Sequence, residues 1–466
     1  MNQSNPLAEA DVAAALAPMN ELSRSLKKRH LTMISIGGII GAGLFVSSST
    51  AVIAAGPASF ISYGIAGALI LLVMRGLAEM ATALPRVRTF TEFARAGLGD
   101  GAGFMVGWLY WYFWVLVVPV EAIAGAKILQ QWIPLSPLLI GLGLMAVMTA
   151  VNLMSARSYA EFEFWFASIK VAAILVFIAI SASFAFGWIS PNGATFHNLS
   201  AYGGFAPHGW IAVGATVPIV FFAMTGAEIT MIAAAESSQP GLAVARMSTQ
   251  VIGRILLFYV GSIFLIVCVV PWNLVRSGES PFTLALNAMH VPGAGLIMSA
   301  IILTAVLSCL NSAFYVSSRV MFVLAASGDA PQGLVRLNKR RVPVVSVLMG
   351  SAAGFLGIIA ATQAPQAVFD FLVSSSGALV VVIYMVIVIA HMVLRFRRQK
   401  DREPAPPVNM WWFPWLSIVA LLGMGTVLMA MAFTPGMQAD FKASCVTVLV
   451  SIIAYLIVKQ RRRKPG

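Results

Sequence analysis

Ile36-Gly37-Gly38-Ile39-Ile40-Gly41-Ala42-Gly43-Leu44-Phe45 is the stretch on which the fold of this chain turns. It sits in an apolar run near 31–54, long enough to cross a bilayer as a helix. Yet it carries four glycines in seven residues, each costing a helix interior about 1 kcal/mol relative to Ala. At membrane depth no water satisfies a loosened backbone. Such a weak point persists only where it lines a cavity or is buried by its neighbours.

A second weak point follows about 180 residues later: Pro218, and then Ala223-Met224-Thr225-Gly226-Ala227-Glu228. Counting apolar runs puts the two interruptions in the first span of each of two five-helix halves, the spacing of an inverted repeat. An opened helix offers amides to a carboxylate and carbonyls to an ammonium, and a zwitterion needs both. Close packing through small residues explains one such cluster equally well. Two in matching positions favour a substrate site.

The rest of the chain supports a membrane setting. Of its 466 residues, 59% are hydrophobic and 10% charged, against about 25% charged in soluble domains. Apolar windows place helices near 31–54, 58–83, 102–132, 135–153, 162–187, 210–233, 251–271, 293–318, 343–361, 366–392, 411–433 and 443–459. The segment from Pro281 to Pro292 can instead form a short helix outside the bilayer. The fold class is thus all-α integral membrane, with twelve transmembrane helices. Its parts are an N-terminal tail 1–30, a transporter core 31–392, a basic loop 393–410, a helix pair 411–459 and a C-terminal tail 460–466. The first 30 residues lack a signal peptide's apolar core and cleavage site.

Charge placement sets the expected orientation. Twenty-six of the thirty Lys and Arg fall on one side, in the tails and alternate loops. Only Lys127, Arg276 and Lys442 fall on the other, and Lys170 lies within a span. Both termini are therefore expected in the cytoplasm. The net charge of +13 serves orientation and contact with anionic lipid, not nucleic acid.

Charges inside the spans are the candidate working groups. Lys170, about two turns into the fifth span, is costly to bury without a partner, and a lysine that loses and regains its proton is a natural coupling site. Snorkelling to the interface is the alternative. Glu121 follows Pro119 in the third span, and Glu228 lies just past the second weak point. Each can be the counter-charge of Lys170, a proton site, or a carboxylate holding loosened backbone. Arg75 and Glu79 suggest a gate or interface network, and Arg319 and Asp329 belong to the eighth loop. Cys268, Cys309 and Cys445 sit in apolar runs as small packing residues. There is no phosphate loop, zinc-protease helix or nucleophile elbow, and the five histidines lack ligand spacing. The chain is expected to be no enzyme, to need no cofactor or metal, and to draw on an ion gradient or its substrate's own.

Several motifs together resemble the amino acid–polyamine–organocation superfamily, specifically bacterial amino acid permeases, from Leu26 to about Trp415. They are Gly38 through Phe45 with Ala54-Ala55-Gly56-Pro57, Gly107-Trp108-Leu109-Tyr110-Trp111, Glu161-Phe162-Glu163-Phe164-Trp165, Ala227-Glu228 through Ala235-Glu236-Ser237, and Cys309-Leu310-Asn311-Ser312-Ala313 leading to Gly328-Asp329-Ala330-Pro331. The third span, Trp108 to Ala122, is most like the branch that carries gamma-aminobutyrate. The resemblance implies a LeuT-type five-plus-five inverted repeat with helices one and six broken, and proton symport at the bacterial inner membrane. It implies a substrate carboxylate on the backbone of Ala42 and Gly43 beside Gly41, and an ammonium on the carbonyls of Ile39, Phe222 and Thr225. Phe222 takes an aromatic gate's position, and Lys170 that of a lysine replacing a sodium ion. One departure stands in Pro85-Arg86-Val87-Arg88-Thr89-Phe90, where Arg88 replaces a turn glycine. The partners implied are an amino acid, protons and lipid, for a monomer or weak oligomer. Aromatic, proline or cationic amino acid symport, uncoupled exchange, and nutrient sensing on a transporter fold are the rival readings.

Overall fold

The computed structural model of the protein describes residues 40–84, 87, 89–154, 156–226, 228, 253, 255–338, 342–363 and 365–463. Among these residues the chain is all helix and turn, with no strand. Helix α1 (Ala42–Phe45) and α2 (Ser48–Ala55) hold the end of the first apolar run. Gly56, at φ +64°, then turns the chain through Gly56–Ala58 into α3 (Ser59–Ala83). A Cβ on Gly56 would stand 2.5 Å from the Pro207 ring, so the corner needs glycine on two counts. Next come α4 (Phe90–Leu98), α5 (Asp100–Leu129), α6 (Pro137–Asn152) and α7 (Ala156–Ala185).

The second stretch opens with α8 (Gly209–Ala215) and α9 (Val217–Met224). It continues through a π-helical turn at Ile255–Gly261 into α10 (Ser262–Val269), α11 (Pro281–Ala288), α12 (Ala294–Ala326), α13 (Val344–Ala361) and α14 (Pro365–Lys400). Helices α15 (Trp415–Phe433) and α16 (Gln438–Arg463) end the chain.

Eight stretches among the described residues are long and apolar enough to cross a membrane, and three shorter apolar helices accompany them. The centre of the bundle is α5, packed against α12, α13 and α14, and α9 packs against α14. Its fully buried side chains are large and aromatic, among them Trp114, Tyr63, Tyr110, Phe113 and Phe221. Outward faces carry Leu139, Leu356, Leu422 and Leu449, all exposed. A belt of exposed apolar side chains on this scale is unfavourable in water and suits lipid.

Several boundaries differ from those read from hydropathy. Helix α11 stands alone, and the long eighth helix begins at Ala294 and runs eight residues past 318. Helix α14 runs past 392 to Lys400, with Arg397, Arg398 and Lys400 in its last turn, where cations favour the helix dipole. Arg319 is not in a loop. It is buried within α12, over the Tyr315 ring at 4.1 Å, and donates to Ser318 Oγ at 3.2 Å. Helix α4 was not anticipated, although Thr89-x-x-Glu92 is a capping-box signature. The Thr89 hydroxyl accepts from the Glu92 amide at 3.3 Å, and the Glu92 carboxylate accepts from the Thr89 amide at 3.2 Å. Arg88, Ile39, Ala227 and Ala235-Glu236-Ser237 lie outside the described residues.

Candidate functional site

Gly41 precedes α1 in extended conformation and leaves the next amide, that of Ala42, without a helical partner. That amide donates to both carboxylate oxygens of Glu121, each 3.1 Å away. Glu121 comes from the middle of α5, two residues past Pro119. A Cβ on Gly41 would stand 2.5 Å from Cys309 Cβ and 2.8 Å from Glu121 Oε1, so this backbone approaches α5 and α12 closely because it has no side chain. Gly43 meets α9 in the same way: a Cβ there would lie 2.6 Å from Ala223 Cα.

On the opposite wall, α9 ends at Met224, Thr225 is extended, and Gly226 adopts φ +125°. Thr225 returns its hydroxyl to the Phe221 carbonyl at 2.6 Å. The Ala223 carbonyl accepts from the Tyr259 hydroxyl at 3.1 Å. The Phe222 ring closes the space against Phe113, with centroids 6.3 Å apart. Gly41, Gly43, Glu121, Phe222, Thr225 and Cys309 thus line one cavity, of about 10 Å³. That is room for about one water, not for an amino acid. The site is closed upon itself, with the Glu121 carboxylate where a substrate carboxylate was expected.

Glu228 does not line this cavity. It accepts from the Tyr110 hydroxyl at 3.2 Å, from the Tyr384 hydroxyl at 2.8 Å and from the Gly226 amide at 3.1 Å. It therefore ties the chain beyond α9 to α5 and α14.

Lys170 is fully buried and reaches the first apolar run just before Gly41. Its Nζ donates to the Ile40 carbonyl at 2.9 Å and to Ser308 Oγ at 2.8 Å. Its counter-charge is Glu163, 3.7 Å away and equally buried, which accepts from Ser308 Oγ at 2.5 Å. Neither Glu121 nor Glu228 forms this pair. Glu163 was missed as a candidate, yet seven residues before Lys170 it lies two turns away on the same helix face. The tyrosine and serine partners left no comparable signal, because they come from helices distant in sequence.

At the basic end of the bundle, Glu79 accepts from Arg395 Nη1 at 2.8 Å and the Met410 amide at 2.7 Å, and pairs with His391 Nε2 at 3.0 Å. Arg75 instead donates to the Asn409 carbonyl at 2.8 Å. Arg95 bridges Asp100 at 2.9 Å and Asp329, and the Asp329 carbonyl accepts from the Trp108 indole at 3.2 Å.

A bundle of membrane-length helices, with an opened backbone and buried carboxylates at its centre, defines a multi-pass membrane transporter of small polar molecules. The chain belongs to the amino acid permease family, whose model matches residues 30–465. It is an amino acid transporter and not an enzyme. It is 40% identical to the gamma-aminobutyric acid permease of Bacillus subtilis (strain 168), covering 95% of this chain and 94% of the relative. To the gamma-aminobutyric acid permease of Escherichia coli (strain K12) it is 41% identical, covering 96% of each. The aromatic amino acid transport protein of Salmonella typhimurium (strain LT2) is 36% identical, with 94% of this chain and 95% of that one covered. Among solved structures, a manganese transporter of Eremococcus coleocola matches with a TM-score of 0.56 at 14% identity, covering 98% of this chain and 95% of that one. At that identity the match speaks for the fold alone.

Proposed function

We propose that the protein imports gamma-aminobutyrate, or a related small amino acid, together with protons. It would work by alternating access in a twelve-helix, five-plus-five inverted repeat, with both termini in the cytoplasm. The substrate carboxylate takes the Ala42 amide with Gly41 and Gly43 beside it, and the ammonium takes carbonyls from the ends of the two opened helices, Phe222 and Thr225 among them. The substrate assignment is supported by the relatives named for gamma-aminobutyrate. The observation that carries the coupling is the contact of Lys170 Nζ with the Ile40 carbonyl. A lysine joined to the opened helix can tighten or release it as it gains or loses a proton.

The aromatic transport proteins at 36% identity keep one other reading in play, an aromatic amino acid symporter. Uptake by purified protein in liposomes separates the two. Accumulation of labelled gamma-aminobutyrate, competed by its close analogues, is the expected result. Accumulation of phenylalanine, with gamma-aminobutyrate neither carried nor competing, overturns the substrate assignment.

A further inference from the structure

Helix α3 turns one stripe outward along its length. Ile61, Ile65, Ala68, Leu72 and Arg75 recur at three- and four-residue spacing and are half-buried or exposed, while most of the residues between them are buried. Four of the five are apolar, as lipid tails require, and the stripe ends on a guanidinium. Helix α15 packs alongside, so closely that a Cβ on Gly423 would stand 2.8 Å from Leu69 Cδ2. Its outward residues Trp415, Val419 and Leu422 are all exposed. The 19 residues of α15 match one hydrocarbon thickness, so Trp415, its first residue, lies at a membrane boundary. Trp411 and Trp412, just before it, are exposed as well. Indoles gather at headgroup level.

Arg75 is fixed at that level. Its Nε donates to the Asn409 carbonyl at 2.8 Å, and its guanidinium lies over the Trp411 ring, 4.7 Å from the centroid. One turn further along α3, Glu79 accepts from the Met410 amide at 2.7 Å. Consecutive residues of the segment before α15 thus hang on consecutive turns of α3. Glu79 is spent on that amide, Arg395 and His391, and does not pair with Arg75. Arg75 makes no ion pair among the described residues, and its two Nη groups donate no hydrogen bond there. A half-buried guanidinium with both Nη groups unused is a fork for the oxygens of a phosphate. Further positive charge stands at the same end. Arg395 of α14 donates to the Met410 carbonyl at 3.3 Å, and Arg397, Arg398 and Lys400 follow it in that helix's last turn. A basic face of this kind gathers anionic lipid.

We propose that Arg75, with Trp411, Trp412 and Trp415, binds the headgroup of an anionic phospholipid. The phosphate lies on the Arg75 guanidinium, and the acyl chains follow the outward faces of α3 and α15. A headgroup held there braces the segment 409–412 against α3, and through Glu79 and Arg395 against α14. A zwitterionic headgroup fits less well, because its ammonium offsets the phosphate and meets a basic surface. The site concerns the lipid around the bundle and is independent of which amino acid is carried.

The test is thermal unfolding of the full chain in a neutral detergent, titrated with dioleoylphosphatidylglycerol, with dioleoylphosphatidylcholine and with inorganic phosphate. A ligand that binds only the folded protein raises the unfolding temperature as its concentration rises. Each variant is compared with itself without lipid, so a changed starting stability does not enter. Phosphatidylglycerol should act on wild type at a concentration about tenfold lower than phosphatidylcholine. Arg75→Gln should need about tenfold more phosphatidylglycerol, from loss of one charge-assisted contact. Arg75→Lys keeps the charge without the fork and should fall between the two, and Trp411→Ala should cost about threefold. Arg402→Gln, at an exposed turn beyond α14, removes one charge elsewhere at this end and should stay within about twofold of wild type. Equal phosphatidylglycerol responses in Arg75→Gln and wild type, an equal loss in Arg402→Gln, or equal responses of wild type to the two lipids overturns the site. A shift of the same size from inorganic phosphate alone makes it a free-anion site and overturns the lipid assignment.

Discussion

Both carboxylate oxygens of Glu121 lie 3.1 Å from the amide nitrogen of Ala42, across 79 residues of sequence. The contact joins the middle of α5 to the first turn of α1 and fills the amide on which a substrate carboxylate was expected. Two carboxylates cannot share one N–H at full strength. Whatever binds at Ala42 must first loosen Glu121, and adding a proton to Glu121 is the simplest way to weaken its hold.

Competition of this kind ties proton binding to substrate binding in one direction. A neutral Glu121 accepts less strongly and frees the amide, so substrate affinity should rise as pH falls and decline as pH rises. Glu121→Gln is neutral at every pH and should flatten that dependence. Titrating gamma-aminobutyrate binding to the purified protein between about pH 5 and pH 8 measures it, with a wild-type change of about tenfold expected from one charge-assisted hydrogen bond. The same slope in Glu121→Gln would place the proton elsewhere.

Glu228 has a different part. With two tyrosine hydroxyls and the Gly226 amide directed at it, its carboxylate anchors the chain just past α9 to α5 and α14. Glu228→Gln replaces charge-assisted bonds from Tyr384 and Gly226 with neutral ones and obliges the Tyr110 hydroxyl to accept instead of donate. Stability should fall by about 1–3 kcal/mol, read as a lower unfolding temperature in detergent. The fraction that remains folded should keep its substrate KM. An unfolding temperature like that of wild type, with transport lost, would make Glu228 a working group.

The resemblance put the backbone of Gly43 at the substrate carboxylate. The structure adds a packing role, because Gly43 lies against the backbone of α9, and a Cβ would approach Ala223 Cα to 2.6 Å. Backbone cannot rotate aside as a side chain can. Gly43→Ala should therefore lower folded yield and thermal stability by about 1–3 kcal/mol, the usual cost of overpacking, before any effect on substrate is considered. Thermal unfolding of Gly43→Ala with and without gamma-aminobutyrate measures both. Unchanged stability with lost binding would restore the ligand reading.

What the sequence made legible follows the range of the interactions. Lipid-length runs and glycine clusters are local, so most long helices and the weak points at 41–43 and 225–226 could be read directly. Helix α14 outruns its apolar window because its basic last turn satisfies the helix dipole while lowering hydropathy. The pair of Lys170 with Glu163 was readable in principle from its seven-residue spacing. Glu121 and Glu228, beside the weak points, were rival counter-charges that local spacing alone does not exclude. The contact of Glu121 with Ala42, and of Tyr110 and Tyr384 with Glu228, joins residues 79 to 156 positions apart. No periodicity within one helix encodes such a meeting.

Lys170 carries the last prediction. It is fully buried, it donates to the Ile40 carbonyl where the first apolar run loosens, and it shares Ser308 with Glu163. A positive charge here holds α7 and α12 to the start of α1, and its loss would free that segment to move. Lys170→Met removes the charge and keeps similar bulk. It also leaves Glu163 buried beside Ser308 alone, so protein level must be matched before rates are compared. At matched level, accumulation of gamma-aminobutyrate driven by an inward proton gradient should disappear. Exchange of external for internal substrate needs no net proton movement and should persist. Gradient-driven uptake and counterflow, measured in the same liposomes, separate the two. Normal gradient-driven accumulation by Lys170→Met would remove Lys170 from coupling and leave it as a brace between α7, α12 and the first helix.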